Sequence, residues 1–126
     1  MRGICCLVPN IKGVSENIRV ISVLGRYLEH SRIYYFHNGG KEELYLGSAD
    51  LMQRNLNHRV EVVFPVEDAG LMRYLRDNVL GAYFKDNSGT RLMQSDGTDK
   101  LMHPKDGEDR VNVQDWLMTR PWMKKS

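Results

Sequence analysis

The sequence predicts an α/β fold, a mixed β-sheet flanked by α-helices, and three observations carry that expectation. The chain opens on a continuous apolar run, Gly3 to Val8, as expected of a strand buried on both faces. Short stretches rich in β-branched and aromatic residues recur between clusters of Gly, Asn and Asp. Residues 69 to 80 instead repeat their apolar side chains at helical spacing, with Leu71, Leu75 and Val79 at i, i+4 and i+8.

After the opening strand, Pro9 to Gly13 reads as a loop. Ser15-Glu16-Asn17 resembles a helix start, yet Ile18 to Leu24 is rich in β-branched residues, whose stiff side chains suit a pleated surface, so a strand is expected. Gly25 to Glu29 reads as a turn or a single helical turn that delivers His30. Arg32 to Phe36 and Glu43 to Leu46 form a hairpin across the glycine-rich connection His37-Asn38-Gly39-Gly40-Lys41-Glu42. Val60 to Val66 is a further apolar strand, closed by Pro65. Asp68 caps the helix of residues 69 to 80, Met72 widens its apolar face and Gly81 stops it. Tyr83 to Lys85 and Thr90 to Gln94 are expected as short strands, the second returning as Thr98 to Met102 through Ser95-Asp96-Gly97. His103 to Asp109 is polar loop, and Val111 to Thr119 fits a terminal helix with Val113, Trp116 and Leu117 inward.

A length of 126 residues, 41% of them hydrophobic and 27% charged, suits one domain spanning 1–126. A formal net charge of +2 gives no broad electrostatic case for nucleic acid, so a basic site must come from local clustering of arginines. Cys5 and Cys6 are strand neighbours pointing to opposite faces, and adjacent cysteines are not a metal-ligand spacing; buried, reduced thiols are expected. No apolar run approaches the ~20 residues of a membrane span, so a soluble, cytoplasmic protein is expected. A chain that enters a strand almost at once leaves an uncovered edge, which reads as a piece of a larger protein lacking its first elements.

The hairpin carries the chemistry. In an antiparallel pair the entry of the first strand lies beside the exit of the second. His30 and Arg32 therefore stand next to Gly47-Ser48-Ala49-Asp50, and imidazole, guanidinium, hydroxyl and glycine backbone together suit phosphate oxygens. Imidazole also suits proton transfer or oxyanion stabilisation at neutral pH, and Glu29 and Glu43 are candidates to orient its second nitrogen. Arg54, Asn55 and Arg59 add donors just downstream, whereas His37, His58 and His103 lack such company.

His30-x-Arg32 followed by Gly47-Ser48-Ala49-Asp50 resembles the H-x-K and G-S-x-N pattern of the phospholipase D superfamily, with Arg32 for the lysine, Asp50 for the asparagine and no aspartate seven residues after His30. Longer strings carry a more specific likeness. Arg2-Gly3-Ile4-Cys5-Cys6-Leu7, Ser15-Glu16-Asn17-Ile18-Arg19, Arg26-Tyr27-Leu28-Glu29-His30-Ser31-Arg32, Asn38-Gly39-Gly40, Gly47-Ser48-Ala49-Asp50, Arg54-Asn55-Leu56 and Arg59-Val60-Glu61 strongly resemble the C-terminal catalytic domain of bacterial polyphosphate kinase, type 1. The likeness spans residues 2 to about 94 and thins beyond, where residues 96 to 126 form a variable hairpin and terminal helix.

That resemblance implies a phospholipase D-like α/β fold forming the C-terminal part of a larger kinase. It implies reversible transfer of the terminal phosphate of ATP to inorganic polyphosphate through a phosphohistidine outside this stretch, with Mg2+ accompanying the nucleotide. The implied partners are ATP or ADP, polyphosphate, the preceding domains of the same polypeptide and, at full length, further copies of it. The implied location is cytoplasmic, including peripheral association with a membrane. Carried over by motif, Arg2 contacts nucleotide phosphate, His30 is the catalytic histidine near the phosphoryl group, and Arg59 lines the phosphate site. Arg32, Ser48, Arg54 and Asn55 join them on spacing and chemistry, and no metal ligands are assigned.

Two other readings stay open at this point: a phospholipase D-like phosphodiesterase half-site with His30 as nucleophile, and a non-catalytic module that binds polyanions. The functional readings expect Arg2, His30, Arg32 and Arg59 to converge on one solvent-open concavity. A purely structural surface would instead disperse the arginines, each paired with an acid such as Glu29, Glu43 or Glu61.

Overall fold

The computed structural model describes residues 7–120; most of the expected opening strand, with Arg2, Cys5 and Cys6, lies outside them. The elements in chain order are β1 (Ile21–Val23), β2 (Ile33–Phe36), a 3-10 turn (Asn38–Gly40), β3 (Glu43–Gly47), α1 (Gln53–His58), β4 (Val63–Pro65), α2 (Ala69–Tyr74), a π-helical stretch (Leu75–Leu80), α3 (Gly81–Lys85), β5 (Thr90–Met93), β6 (Asp99–Leu101) and α4 (Val113–Thr119). This is the α/β class the sequence predicts. The strands pair as two three-stranded antiparallel sheets, β2-β3-β4 and β1-β5-β6, where one mixed sheet is expected from the sequence. A hairpin joins β2 to β3 and β5 to β6, which fixes those pairs as antiparallel, and β3-β4 and β1-β5 pair antiparallel over longer connections. The residues sort into two compact units, one from Glu29 to Gly81, the other formed by those before Glu29 and those from Ala82 onward.

Within the unit from Glu29 to Gly81, the hairpin forms where it is expected, with Ile33 opposite Leu46 and Tyr35 opposite Leu44. Its connection turns through positive φ at Asn38, Gly39 and Gly40, a conformation that favours glycine and asparagine. β4 pairs with β3 as an edge strand, where Pro65 need donate no ladder hydrogen bond. The buried apolar side chains are Leu44, Ala49, Leu75 and Val79, while Val63 and Phe64 on β4 are half exposed.

Asp68 caps α2, its Oδ1 accepting the Leu71 N–H at 2.6 Å. The helix does not stop at Gly81. That residue keeps a helical φ of −58°, and the chain continues to Lys85, so Tyr83 to Lys85, expected as a strand, is the last helical turn. Glycine ends a helix when it adopts the left-handed conformation, and here it does not. Leu75 and Val79, on the π-helical stretch, are buried, while Leu71, in the first turn of α2, is half exposed. Arg76, on this stretch, ties the helix to the hairpin: Nη1 donates to both carboxylate oxygens of Glu42 at 2.5 and 2.6 Å. Glu42 also accepts the Tyr35 hydroxyl at 2.7 Å, which with the Arg76 charge holds its pKa down.

In the other unit, β1 pairs with β5 across a long sequence separation, Ser22 opposite Arg91, and β5 returns as β6 through the Asp96-Gly97 turn. Gly97 has φ +83°, and Asp96 Oδ1 accepts the Thr98 N–H at 2.9 Å, the two features that make this dipeptide a turn. Asp86 organises what lies around it. Its Oδ1 accepts from Ser88 N–H, Gly89 N–H and the Thr90 hydroxyl, and its Oδ2 from Val113 N–H at 2.8 Å. Gln114, at the start of α4, clasps the backbone of Tyr27, accepting its N–H at 3.0 Å and donating to its carbonyl at 2.8 Å.

Candidate phosphate-binding site

Strand pairing brings the polar ends of the hairpin together. Gly47 N–H donates to Arg32 O at 3.3 Å, which seats the segment carrying His30 and Arg32 beside the loop Ser48 to Asp50. Gly47 is required by close approach: a Cβ on it would lie 2.5 Å from the Val62 carbonyl oxygen, which accepts the Ser48 N–H at 2.9 Å. The Tyr34 hydroxyl donates to the Ala49 carbonyl and pins the middle of the loop. From Asp50 the chain turns directly into α1, which carries Arg54 and Asn55 and releases Arg59 at its end.

Two carboxylates organise the donors. Arg32 Nε donates to Asp50 Oδ1 at 2.9 Å and its Nη1 donates to the His30 carbonyl at 2.6 Å. Glu61 accepts on both oxygens, from the Ser48 hydroxyl at 2.5 Å and from Asn55 Nδ2 at 2.8 Å. Ser48 Oγ in turn accepts the Val62 N–H at 3.1 Å. Asn55 is only 4% exposed, and its Oδ1 is a buried side-chain acceptor without a partner.

The charges follow from these contacts. The Arg32 hydrogen bond holds the Asp50 carboxyl below its usual value against partial burial, and the charges of Arg54 and His30 act in the same direction. Hydrogen bonds from Ser48 and Asn55 lower the Glu61 pKa, helped by the fields of Arg59 and Arg32. His30, Ser48, Arg54 and Arg59 are solvent exposed, whereas Arg32 is partly covered.

The structure therefore brings Arg32, Ser48, Asn55, Asp50 and Glu61 into direct hydrogen-bonded groups, and puts His30, Arg54 and Arg59 within electrostatic reach of the two acids. Arg2 lies outside the described residues. The guanidiniums are not gathered bare, because Asp50 and Glu61 are interleaved with them. Glu43 does not stand by His30: it sits opposite Phe36 at the far end of the hairpin, accepting from Asn38 at 3.0 Å and Tyr45 at 2.9 Å. The register explains this, since Glu43 begins the returning strand and His30 precedes the outgoing one.

Sequence reasoning did not assign Asp50, Glu61 or Tyr34 to the site. Asp50 was visible as the acid ending Gly-Ser-Ala-Asp, and Glu61 as the one charged residue between Val60 and Val62, but their partners depend on pairing across β3 and α1. An open cavity of about 590 Å³ lies at the hairpin connection, lined by Tyr35, Phe36, His37, Asn38, Glu43 and Tyr45. None of the assigned site residues lines it, and with aromatic side chains and no arginine in its lining it suits phosphate poorly. Among the described residues no group of three or more His, Cys, Asp or Glu side chains is placed to hold a metal ion. No helix among them is long and apolar enough to cross a membrane.

Fold and site together define an α/β module in which guanidinium, hydroxyl and amide groups from one hairpin edge and α1 are grouped around Asp50 and Glu61. The chain belongs to the polyphosphate kinase C-terminal domain 2 family, whose model matches residues 1–114. It is 54% identical to the polyphosphate kinase of Prosthecochloris aestuarii, over 100% of this chain and 17% of that protein. It is likewise 54% identical to polyphosphate kinase 1 of Chlorobaculum tepidum, over 99% of this chain and 18% of that one. A crystal structure of polyphosphate kinase from Porphyromonas gingivalis superposes with a TM-score of 0.84 at 44% identity, over 91% of this chain and 17% of that chain. The chain thus spans about a sixth of the length of these relatives.

Proposed function

We propose that this chain is the C-terminal catalytic part of a polyphosphate kinase, which reversibly transfers the terminal phosphate of ATP to inorganic polyphosphate through a phosphohistidine borne elsewhere in the polypeptide. The observation that carries the reading is the donor set built on one hairpin edge and α1: His30, Arg32, Ser48, Arg54, Asn55 and Arg59 around Asp50 and Glu61. Phosphoryl transfer requires positioning and charge stabilisation more than covalent chemistry from each residue. Here Arg32, Arg54 and Arg59 offset charge on the phosphate oxygens, while Ser48 and Asn55 belong to the hydrogen-bonded frame that meets them. The exposed imidazole of His30 stands at the phosphoryl group, where it donates a hydrogen bond or a proton to a developing oxyanion. Arg2 contacts nucleotide phosphate.

Mg2+ would supply charge neutralisation on the nucleotide. The described residues offer no carboxylate cluster to hold it, and Asp50 and Glu61 are already engaged by Arg32, Ser48 and Asn55, so no step here runs through the metal. The reading also takes the protein to be cytoplasmic and to assemble with copies of itself and with the preceding domains.

In a full-length polyphosphate kinase whose matching segment is this chain, His30→Ala abolishes ATP-dependent polyphosphate synthesis and leaves Tm within about 3 °C, as expected for an exposed side chain. Residues 1–126 alone, lacking the phosphoryl-accepting histidine, make no polyphosphate from ATP. Synthesis by the isolated chain, or full activity of the alanine variant, overturns the proposal.

A further inference from the structure

The helix that carries Arg54 and Asn55 is short and weakly packed. α1 runs only from Gln53 to His58, too short to be stable by itself, and its single buried residue is the polar Asn55. Leu56, the apolar residue of α1, is 61% exposed, and β4 just beyond presents Val63 and Phe64 half exposed. Among the described residues, α1 itself therefore buries little apolar surface against the hairpin. A polar bridge is present instead: Glu61 receives Asn55 of α1 on one oxygen and Ser48 of the hairpin edge on the other.

We infer that Glu61 is the positioning residue of this site: through Ser48 and Asn55 it sets the spacing between the donors of the hairpin edge, His30 and Arg32, and those of α1 and its exit, Arg54 and Arg59. The inference rests on the phosphate-site reading above. The role is one of reach and hydrogen bonding, not of charge. Both carboxylate oxygens face neutral donors, and Arg59 and Arg32 act on Glu61 only through space. The unpartnered Oδ1 of the buried Asn55 strengthens the case, because the contact of its Nδ2 with Glu61 at 2.8 Å is then the hydrogen bond that orients this amide.

Two mild substitutions separate reach from charge. Glu61→Gln keeps the length: its oxygen accepts from Asn55, and its amide donates to Ser48 Oγ, a hydroxyl that accepts as readily as it donates. Glu61→Asp keeps the charge but withdraws the carboxylate by about 1.5 Å, one carbon–carbon bond, so that it no longer spans both donors. Each is made in the full-length kinase carrying this chain, with His30→Ala alongside, and kcat, KM for ATP and Tm are measured for polyphosphate synthesis.

The expected order is wild type close to Glu61→Gln, within about threefold in kcat/KM, and Glu61→Asp at least about tenfold lower, mainly through kcat, with the Tm of both within about 3 °C. A more active aspartate than glutamine variant shows that charge governs and overturns the inference. Wild-type rates in both variants overturn it too, as does a loss in Glu61→Asp that vanishes when rates are expressed per folded molecule. If His30→Ala abolishes synthesis while the Glu61 pair shows no such order, the positioning role alone fails. If His30→Ala retains synthesis, the phosphate-site reading fails first.

Discussion

Arg32 Nε meets Asp50 Oδ1 at 2.9 Å, joining the entry of β2 to the loop that leaves β3. The same guanidinium reaches the His30 carbonyl at 2.6 Å, so one side chain orients both flanks of the hairpin edge. An ion pair this exposed adds little to stability. In the full-length kinase, Asp50→Ala should therefore leave Tm within about 3 °C. It should lower kcat/KM by roughly tenfold as Arg32 loses its orientation. Unchanged kinetics would assign the pair to the solvated surface.

Tyr34 supports the same loop from beneath, donating its hydroxyl to the carbonyl of the buried Ala49. Burial raises the Tyr34 pKa, so this hydroxyl stays protonated and remains a donor through neutral pH. Tyr34→Phe removes the hydrogen bond and strands an acceptor, at a cost of about 1 kcal/mol. Chemical denaturation should register that loss, and a variant as stable as wild type would show that the carbonyl finds another partner.

Gly47→Ala is expected to be more severe, because its Cβ would lie 2.5 Å from Val62 O and 2.9 Å from Val63 Cγ2. Something must move, and the nearest atom belongs to backbone. Overpacking of this kind costs about 1–3 kcal/mol. The displaced carbonyl is the acceptor of the Ser48 amide, so hydrogen exchange at Ser48 should accelerate in the variant. Equal protection in both proteins would rule out the close approach.

Acid should weaken the fold chiefly through Asp86, with smaller contributions from Asp50, Glu61 and Glu42. Asp50, Glu61 and Glu42 have folded-state pKa values held below the ordinary ones by their hydrogen-bonded partners. Burial pushes Asp86 upward, but N–H donors from Val113, Gly89 and Ser88 and the Thr90 hydroxyl outweigh it, and its pKa too ends low. Depressed folded-state values mean that the unfolded chain binds more protons. The stability they contribute is complete above the ordinary carboxyl range and is lost as pH falls through the folded values. Thermal melts should give a Tm that is flat with respect to these groups from about pH 7 to pH 5 and falls below about pH 4. A Tm that holds steady down to pH 3 would contradict the network.

Much of the local architecture was legible in the residues themselves. Aromatic and aliphatic runs on either side of Asn38-Gly39-Gly40 specify the β2-β3 hairpin, Asp96-Gly97 the β5-β6 turn, and Asp68 the start of α2, because each depends on backbone preferences a few residues wide. The donors His30, Arg32, Ser48, Arg54, Asn55 and Arg59 were likewise nameable from spacing and side-chain chemistry. What pairs over distance was not. Whether Gly81 would end a helix depended on its φ, which glycine by itself leaves open. The sorting of strands into two sheets depended on β1 finding β5 nearly seventy residues away. The partners of the arginines were decided in the same way: Asp50 and Glu61 became the acids of the site, and Glu43 did not, because strand register fixes which end of a hairpin each side chain occupies. Register and helix phase arise from burial summed over many contacts, and no short window of sequence contains that sum.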